Sequence, residues 1–187
     1  MESVPDIDDD FLEFLRLLKV HKVRYVVIGG YAVAFHGYPR YTGDIDIFVE
    51  ISKSNAKKLV QVFKDFGYDL ANLKEEMFLN RGKIIRIGEP PNRLEILMGI
   101  SGVSFEECYR NRIVCQAEDV KVNFISRELL LQNKTSSGRA KDLVDVEHLL
   151  KGQMESPPKP KMSRRRPPKS AAPRKQNRKK DNETKPG

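Results

Sequence analysis

Residues 44–49 read Asp-Ile-Asp-Ile-Phe-Val, and this alternation constrains the chain more than any other stretch. Side chains on a strand alternate between faces, so Asp44 and Asp46 point the same way with Cα atoms roughly 6.5 Å apart. Ile45, Ile47 and Val49 point the other way, toward a core. Two carboxylates held side by side repel each other, and one pKa rises unless a cation stands nearby. A hard divalent cation relieves this, and Mg2+ favours carboxylate and phosphate oxygens as ligands. A bare Asp-x-Asp is equally what a solvated edge strand carries, so its surroundings decide.

Upstream, the β-branched and aromatic run 24–28 reads as a buried strand that stops at Gly29-Gly30. A short helix follows at 31–36, closed by Gly37. Without Cβ atoms the backbone can approach a ligand closely, and free N–H groups at a helix start attract anions. A glycine pair alone marks no more than a turn. Here thirteen residues separate Gly30 from Asp44. Glycines and acids can therefore border one cleft, with phosphates at one end and the metal they need at the other.

Along the remaining chain, Asp10 is placed to cap a helix over 11–20, with Phe11, Phe14, Leu15 and Leu18 on one stripe. An amphipathic helix is expected at 55–66 and a helical turn at 75–80. Strands are expected at 83–87 and 93–98, joined as a hairpin through Glu89-Pro90-Pro91-Asn92. A helix over 105–112, two short strands at 113–116 and 120–124, a helix capped by Ser126 and a last helix over 139–150 complete the pattern. Helices flanking a small mixed β-sheet make an α+β domain over residues 1–151.

Charge divides the chain at that boundary. Residues 1–151 carry 22 basic and 23 acidic side chains, whereas 152–187 carry 12 basic and 3 acidic ones and seven of the 11 prolines. The tail holds almost no large apolar side chains to offset its ordering entropy, and it reads as disordered. It serves either as a solubilising extension or as an electrostatic arm for RNA or DNA, with Arg164, Arg165, Arg166, Arg178, Lys179 and Lys180 on phosphates. An acidic protein surface is a third possible partner. Cys108 and Cys115 lack metal-ligand or CxxC spacing, so a reducing compartment is expected. No apolar stretch approaches the roughly 20 residues that span a bilayer, and the acidic start lacks signal-peptide order. The expectation is a soluble, cytoplasmic protein with no membrane partner.

Gly29-Gly30-Tyr31-Ala32 followed by Arg40-x-Thr42-x-Asp44-Ile45-Asp46 resembles the signature of the nucleotidyltransferase superfamily that includes DNA polymerase beta. It is similar to a compact bacterial branch related to the toxins of abortive-infection type toxin–antitoxin systems. The resemblance covers 24–151. Its C-terminal part, with Lys134, Arg139, Asp142 and Asp145, resembles the Lys…Arg-x-x-Asp segment of that branch. It implies a magnesium-dependent enzyme that moves a nucleoside monophosphate from an NTP to a hydroxyl. One or two Mg2+ ions would be held by Asp44, Asp46 and a third carboxylate. The candidate for that third acid is Glu95, where the superfamily more often has Asp.

The residues leave alternatives beside these roles. Glu95, an acid in an apolar strand, needs a partner, which is either a shared metal or a salt bridge to a residue such as Arg86. Lys134 and Arg139 either reach nucleotide phosphates or decorate a helix face through pairs such as Arg139–Asp142. Arg40 and Thr42 either touch substrate or hold the loop before the acids. His36 is expected to pack at a helix end. The basic tail tilts the acceptor toward RNA, tRNA in particular, with protein as another acceptor. A toxin-like role with a cognate antitoxin or partner protein is an extension of the resemblance. The rival class is a nucleic-acid or protein binding module that kept the fold and lost turnover. A drug-modifying transferase is a further rival, against which the short chain with no visible second substrate domain counts.

Overall fold

The structure is a computed structural model that describes residues 5–68, 73–89 and 92–151. The tail at 152–187, with its expected disorder and nucleic-acid contacts, lies outside the described residues, as does Pro90-Pro91 at the centre of the expected hairpin.

Among the described residues six helices, α1 (Asp9–Val20), α2 (Gly29–Phe35), α3 (Lys53–Asp65), α4 (Phe105–Arg110), α5 (Arg127–Ser137) and α6 (Ala140–Lys151), accompany six strands. The strands are β1 (Tyr25–Ile28), β2 (Asp44–Val49), β3 (Ile84–Ile87), β4 (Arg93–Leu97), β5 (Ile113–Ala117) and β6 (Val120–Phe124), and a 3-10 turn spans Glu75–Leu79. The strands form one mixed sheet in the order β3-β4-β2-β1-β6-β5. β1 runs antiparallel to β2 and parallel to β6, and β2 runs parallel to β4. The architecture is the expected small mixed sheet with helices, of α+β class.

Element boundaries differ from the sequence reading where side-chain caps decide them. Asp8, not Asp10, caps α1, its carboxylate accepting the Asp10 N–H at 3.0 Å. Asp9 and Asp10 instead fill the first turn, where negative charge complements the helix dipole. Ser52 starts α3 two residues earlier than periodicity suggested, because its side chain accepts the Asn55 N–H. α2 begins on the glycines themselves, so Gly29 and Gly30 form its first turn.

The pleat sorts the sheet into two unlike faces. Ile45, Ile47 and Val49 are fully buried, as are Val27, Val122 and Phe124. Phe124 stacks on Phe35 of α2, and Phe14 of α1 packs against Phe63 and Phe66 at the end of α3. The opposite face carries Asp44, Asp46 and Phe48, and over Phe48 lies Phe105 of α4. No described helix is long and apolar enough to cross a membrane.

Candidate active site

Register places the three acids on one face. Asp46 pairs laterally with Glu95 across the parallel β2–β4 ladder, and Asp44 pairs with Arg93. Lateral neighbours share a face, so Asp44, Asp46 and Glu95 sit on one side at one end of the sheet. On the other flank of β2, Asp46 lies opposite Ile28, the last residue of β1. The chain therefore turns into the glycine pair directly beside the Asp46 carboxylate.

That turn admits no side chain. A Cβ on Gly29 would lie 1.9 Å from Asp46 Oδ2, and Gly29 has a φ of +64°, which glycine alone adopts without strain. A Cβ on Gly30 would lie 2.5 Å from Thr42 Oγ1. The Gly30 N–H donates to Asp46, and the Thr42 hydroxyl donates to the Asp44 carbonyl at 3.2 Å. Gly29, Gly30, Thr42, Asp44 and Asp46 thus form one contiguous unit.

Electrostatics single out Asp46. Burial, then the neighbouring Glu95 and Asp44 charges, push its carboxyl up to about 6, against the Gly30 hydrogen bond and the Lys134 charge. Among the described residues no arginine or lysine forms an ion pair with it. Asp44 and Glu95 do have a cation. Arg93 Nη2 sits 2.8 Å from Asp44 Oδ2 and 2.9 Å from Glu95 Oε1, and Arg86 Nε lies 3.0 Å from Glu95 Oε1. The Arg93 Nε is buried with no acceptor. Sequence reasoning named Arg86 as a partner and missed Arg93. The spacing that aligns Asp44 with Asp46 also aligns Arg93 with Glu95, and that alternation could have revealed it.

Lys134, Arg139 and Arg40 belong to a second cluster. Lys134 is 4% exposed, and its Nζ lies 2.8 Å from both Asp142 Oδ1 and Asp145 Oδ2. Arg40 clamps Asp145 through Nε and Nη2 at 2.8 and 2.9 Å, while Arg139 Nε lies 2.6 Å from Asp142 Oδ2. Three cations against two carboxylates leave one positive charge, and Arg40 ties the α5–α6 pair to the loop before β2. Burial pushes the Asp142 carboxyl up, but hydrogen bonds from Lys134, Ser137 and Arg139 outweigh it and hold it at about 2. His36 Nε2 pairs with the Ile125 carbonyl at 2.7 Å, away from the acids.

Among the described residues, no three acid, imidazole or thiol side chains converge as a ready-made metal cage. The donor chemistry nonetheless suits a hard cation. Asp44 and Asp46 offer carboxylate oxygens, Asp46 has no ion-pair partner among the described residues, and a guanidinium already fills the space between Asp44 and Glu95. Mg2+ characteristically takes one or two carboxylates and completes its shell with water and substrate phosphates.

The fold is similar to that of a solved adenylyltransferase. The lincosamide antibiotic adenylyltransferase LnuA, solved with lincomycin bound, superposes with a TM-score of 0.51 at 19% identity, covering 77% of this chain and 96% of its own. The nucleotidyltransferase candidate TM1012 of Thermotoga maritima gives a TM-score of 0.48 at 17% identity, covering 75% of this chain and 89% of its own. No protein-family model matches the chain, and no curated protein matches it in sequence.

Proposed function

We propose that this protein is a magnesium-dependent nucleotidyltransferase that transfers a nucleoside monophosphate from an NTP to a hydroxyl acceptor. The observation carrying this reading is the contact of Gly29 with Asp46, which sets a side-chain-free turn against a carboxylate that has no ion-pair partner among the described residues. Asp44 and Asp46 would hold the metal, and Glu95 joins them by exchanging its arginine contacts. When bound, Mg2+ neutralises charge between these acids and the nucleotide phosphates and favours in-line displacement.

The chain's own groups do the rest. Gly29 and Gly30 leave room for the triphosphate to approach the backbone. The unpaired Nε–H of Arg93 is a donor for a phosphate oxygen. Thr42 and Arg40 hold the loop that carries Asp44, and the excess positive charge of the Lys134 cluster favours an anionic ligand. Lys134 and Arg139 reach phosphates only by loosening their present pairs. The acceptor oxygen attacks the α-phosphorus, the bond to the β-phosphate oxygen breaks, and pyrophosphate leaves. The hydroxyl proton passes to an acid of the cluster, with Glu95 the base assigned to it.

RNA, tRNA above all, is the acceptor this reading favours, with a protein hydroxyl as the other macromolecular choice. Relation to abortive-infection toxins, and restraint by a cognate antitoxin, belong to the same proposal. The objection that the chain is too short to modify a drug does not hold, since it spans 96% of LnuA. The test is incubation with each α-labelled NTP, Mg2+ and bulk tRNA. Label should enter RNA with one NTP, and Asp46→Ala should abolish it. If wild type and Asp46→Ala bind RNA alike and neither transfers label, the protein is a binding module.

A further inference from the structure

A cavity of about 280 Å3 opens where the end of α1 meets β1, β5 and β6. Lys19, Lys22, Arg112 and Lys121 line it together with Tyr25 and Val114, and none of its lining residues is acidic. Val27 pairs with Phe124 and Ile28 with Asp46, so Lys121 lies on the face that carries the acids, whereas Tyr25, in register with Val49, lies on the other, and the cavity opens at the end of the sheet. From two strand spacings and four residues of rise, Lys121 lies roughly 15 Å from Asp46.

Two further observations describe the surroundings of these cations. Arg112 forms no ion pair among the described residues, and its Nη1 donates to the Tyr109 carbonyl. Its guanidinium carbon sits 3.9 Å from the Tyr109 ring centroid, and its buried Nε has no acceptor. Arg24 stacks on the same ring at 4.4 Å, but it is neutralised by Glu50 and Glu106. Lys22 follows the C-cap of α1 with a φ of 53°, a position where glycine is the unstrained choice. Its carbonyl is held by the Lys58 ammonium at 2.9 Å, which fixes the strained turn beside the cavity.

We propose that this groove binds the phosphodiester backbone of RNA and anchors the acceptor while its hydroxyl reaches the acids on the same face. The proposal rests on the RNA-acceptor reading above. Lysine and arginine contacts to phosphate are sequence-independent and steeply salt-dependent.

The test compares full-length wild type with Lys22→Gly/Lys121→Gln and with the control Lys53→Gln/Lys57→Gln, whose lysines are exposed on α3. Affinity for a labelled single-stranded RNA is measured by fluorescence anisotropy across a salt series, alongside melting temperature. The groove variant should bind roughly tenfold more weakly, with a log–log salt slope shallower by about 1.4, from about 0.7 per lost contact. Its melting temperature should not fall, since glycine relieves the turn at residue 22. The control should stay near wild type. Equal affinity and slope in the groove variant and wild type, or an equal loss in both variants, overturns the proposal. RNA binding that depends on the groove without label transfer overturns the enzyme reading and leaves the groove standing. Transfer that proceeds with groove-independent binding does the reverse.

Discussion

Replacing Gly29 by alanine separates geometry at the site from backbone strain. The new Cβ would start 1.9 Å from Asp46 Oδ2, whereas ordinary contact begins at 3.4 Å, so the carboxylate must retreat by about 1.5 Å or the turn must open. The positive φ adds a strain of about 1–2 kcal/mol. Gly138→Ala is the matched control, because Gly138 has a φ of +65° and nothing lies within 4 Å of its Cβ position. Gly138→Ala should lose about 1–2 kcal/mol, a few degrees in Tm for a chain of this size, and Gly29→Ala more, because its clash adds to the strain. Only Gly29→Ala should disturb the acids, and a misplacement of about 1 Å at a reacting centre costs roughly 100-fold in rate. The assay is NMP transfer from labelled NTP, with Mg2+-dependent binding of a fluorescent nucleotide as the acceptor-free readout. Gly138→Ala should keep both near wild type, while Gly29→Ala should lose about 100-fold in transfer. Equal activity in the two variants would refute the role assigned to this contact.

Three more outcomes follow from the charges. Asp46 titrates near 6 in the folded chain, above the ordinary carboxyl value of 3.8, so the folded protein loses stability as pH rises between them. Asp46→Asn should therefore be more stable than wild type above pH 6 without metal, by about 1–2 kcal/mol after allowing for partial exposure, and the gap should close toward pH 4. Denaturant titration at several pH values measures it, and a constant gap sinks the assignment. Asp142 is displaced the opposite way, to about 2, so its stabilisation is present above pH 4 and lost as pH falls toward 2. Asp142→Asn should flatten that acid limb. Lys134→Met, which strands two buried carboxylates, should cost about 3–5 kcal/mol at neutral pH, near the lower end because Arg40 and Arg139 remain.

Much of the fold was legible in the sequence because its strands alternate cleanly and its turns carry glycine. β2 occupies the residues that the Asp-Ile-Asp-Ile alternation assigns, and the faces of Asp44 and Ile45 follow from it. Caps were less legible: three consecutive acids at 8–10 can each cap a helix, and tertiary packing chooses among them. The lateral pairing of Asp46 with Glu95 required the strand order, since parallel neighbours 49 residues apart in sequence leave no local signal. The place of Arg93 beside Glu95 was legible from their alternation, but its pairing with Asp44 was not, because that partner lies on another strand. The buried setting of Lys134 came from α6 folding back on α5, which no periodicity within either helix reveals.

The most direct measurement is the anomalous scattering of Mn2+ in crystals grown with a non-hydrolysable NTP. The account predicts a metal peak against Asp44 and Asp46, with the nucleotide phosphates lying along Gly29-Gly30 and Arg93 withdrawn from Asp44. A nucleotide bound elsewhere, or no peak while Arg93 still bridges Asp44 and Glu95, would contradict it.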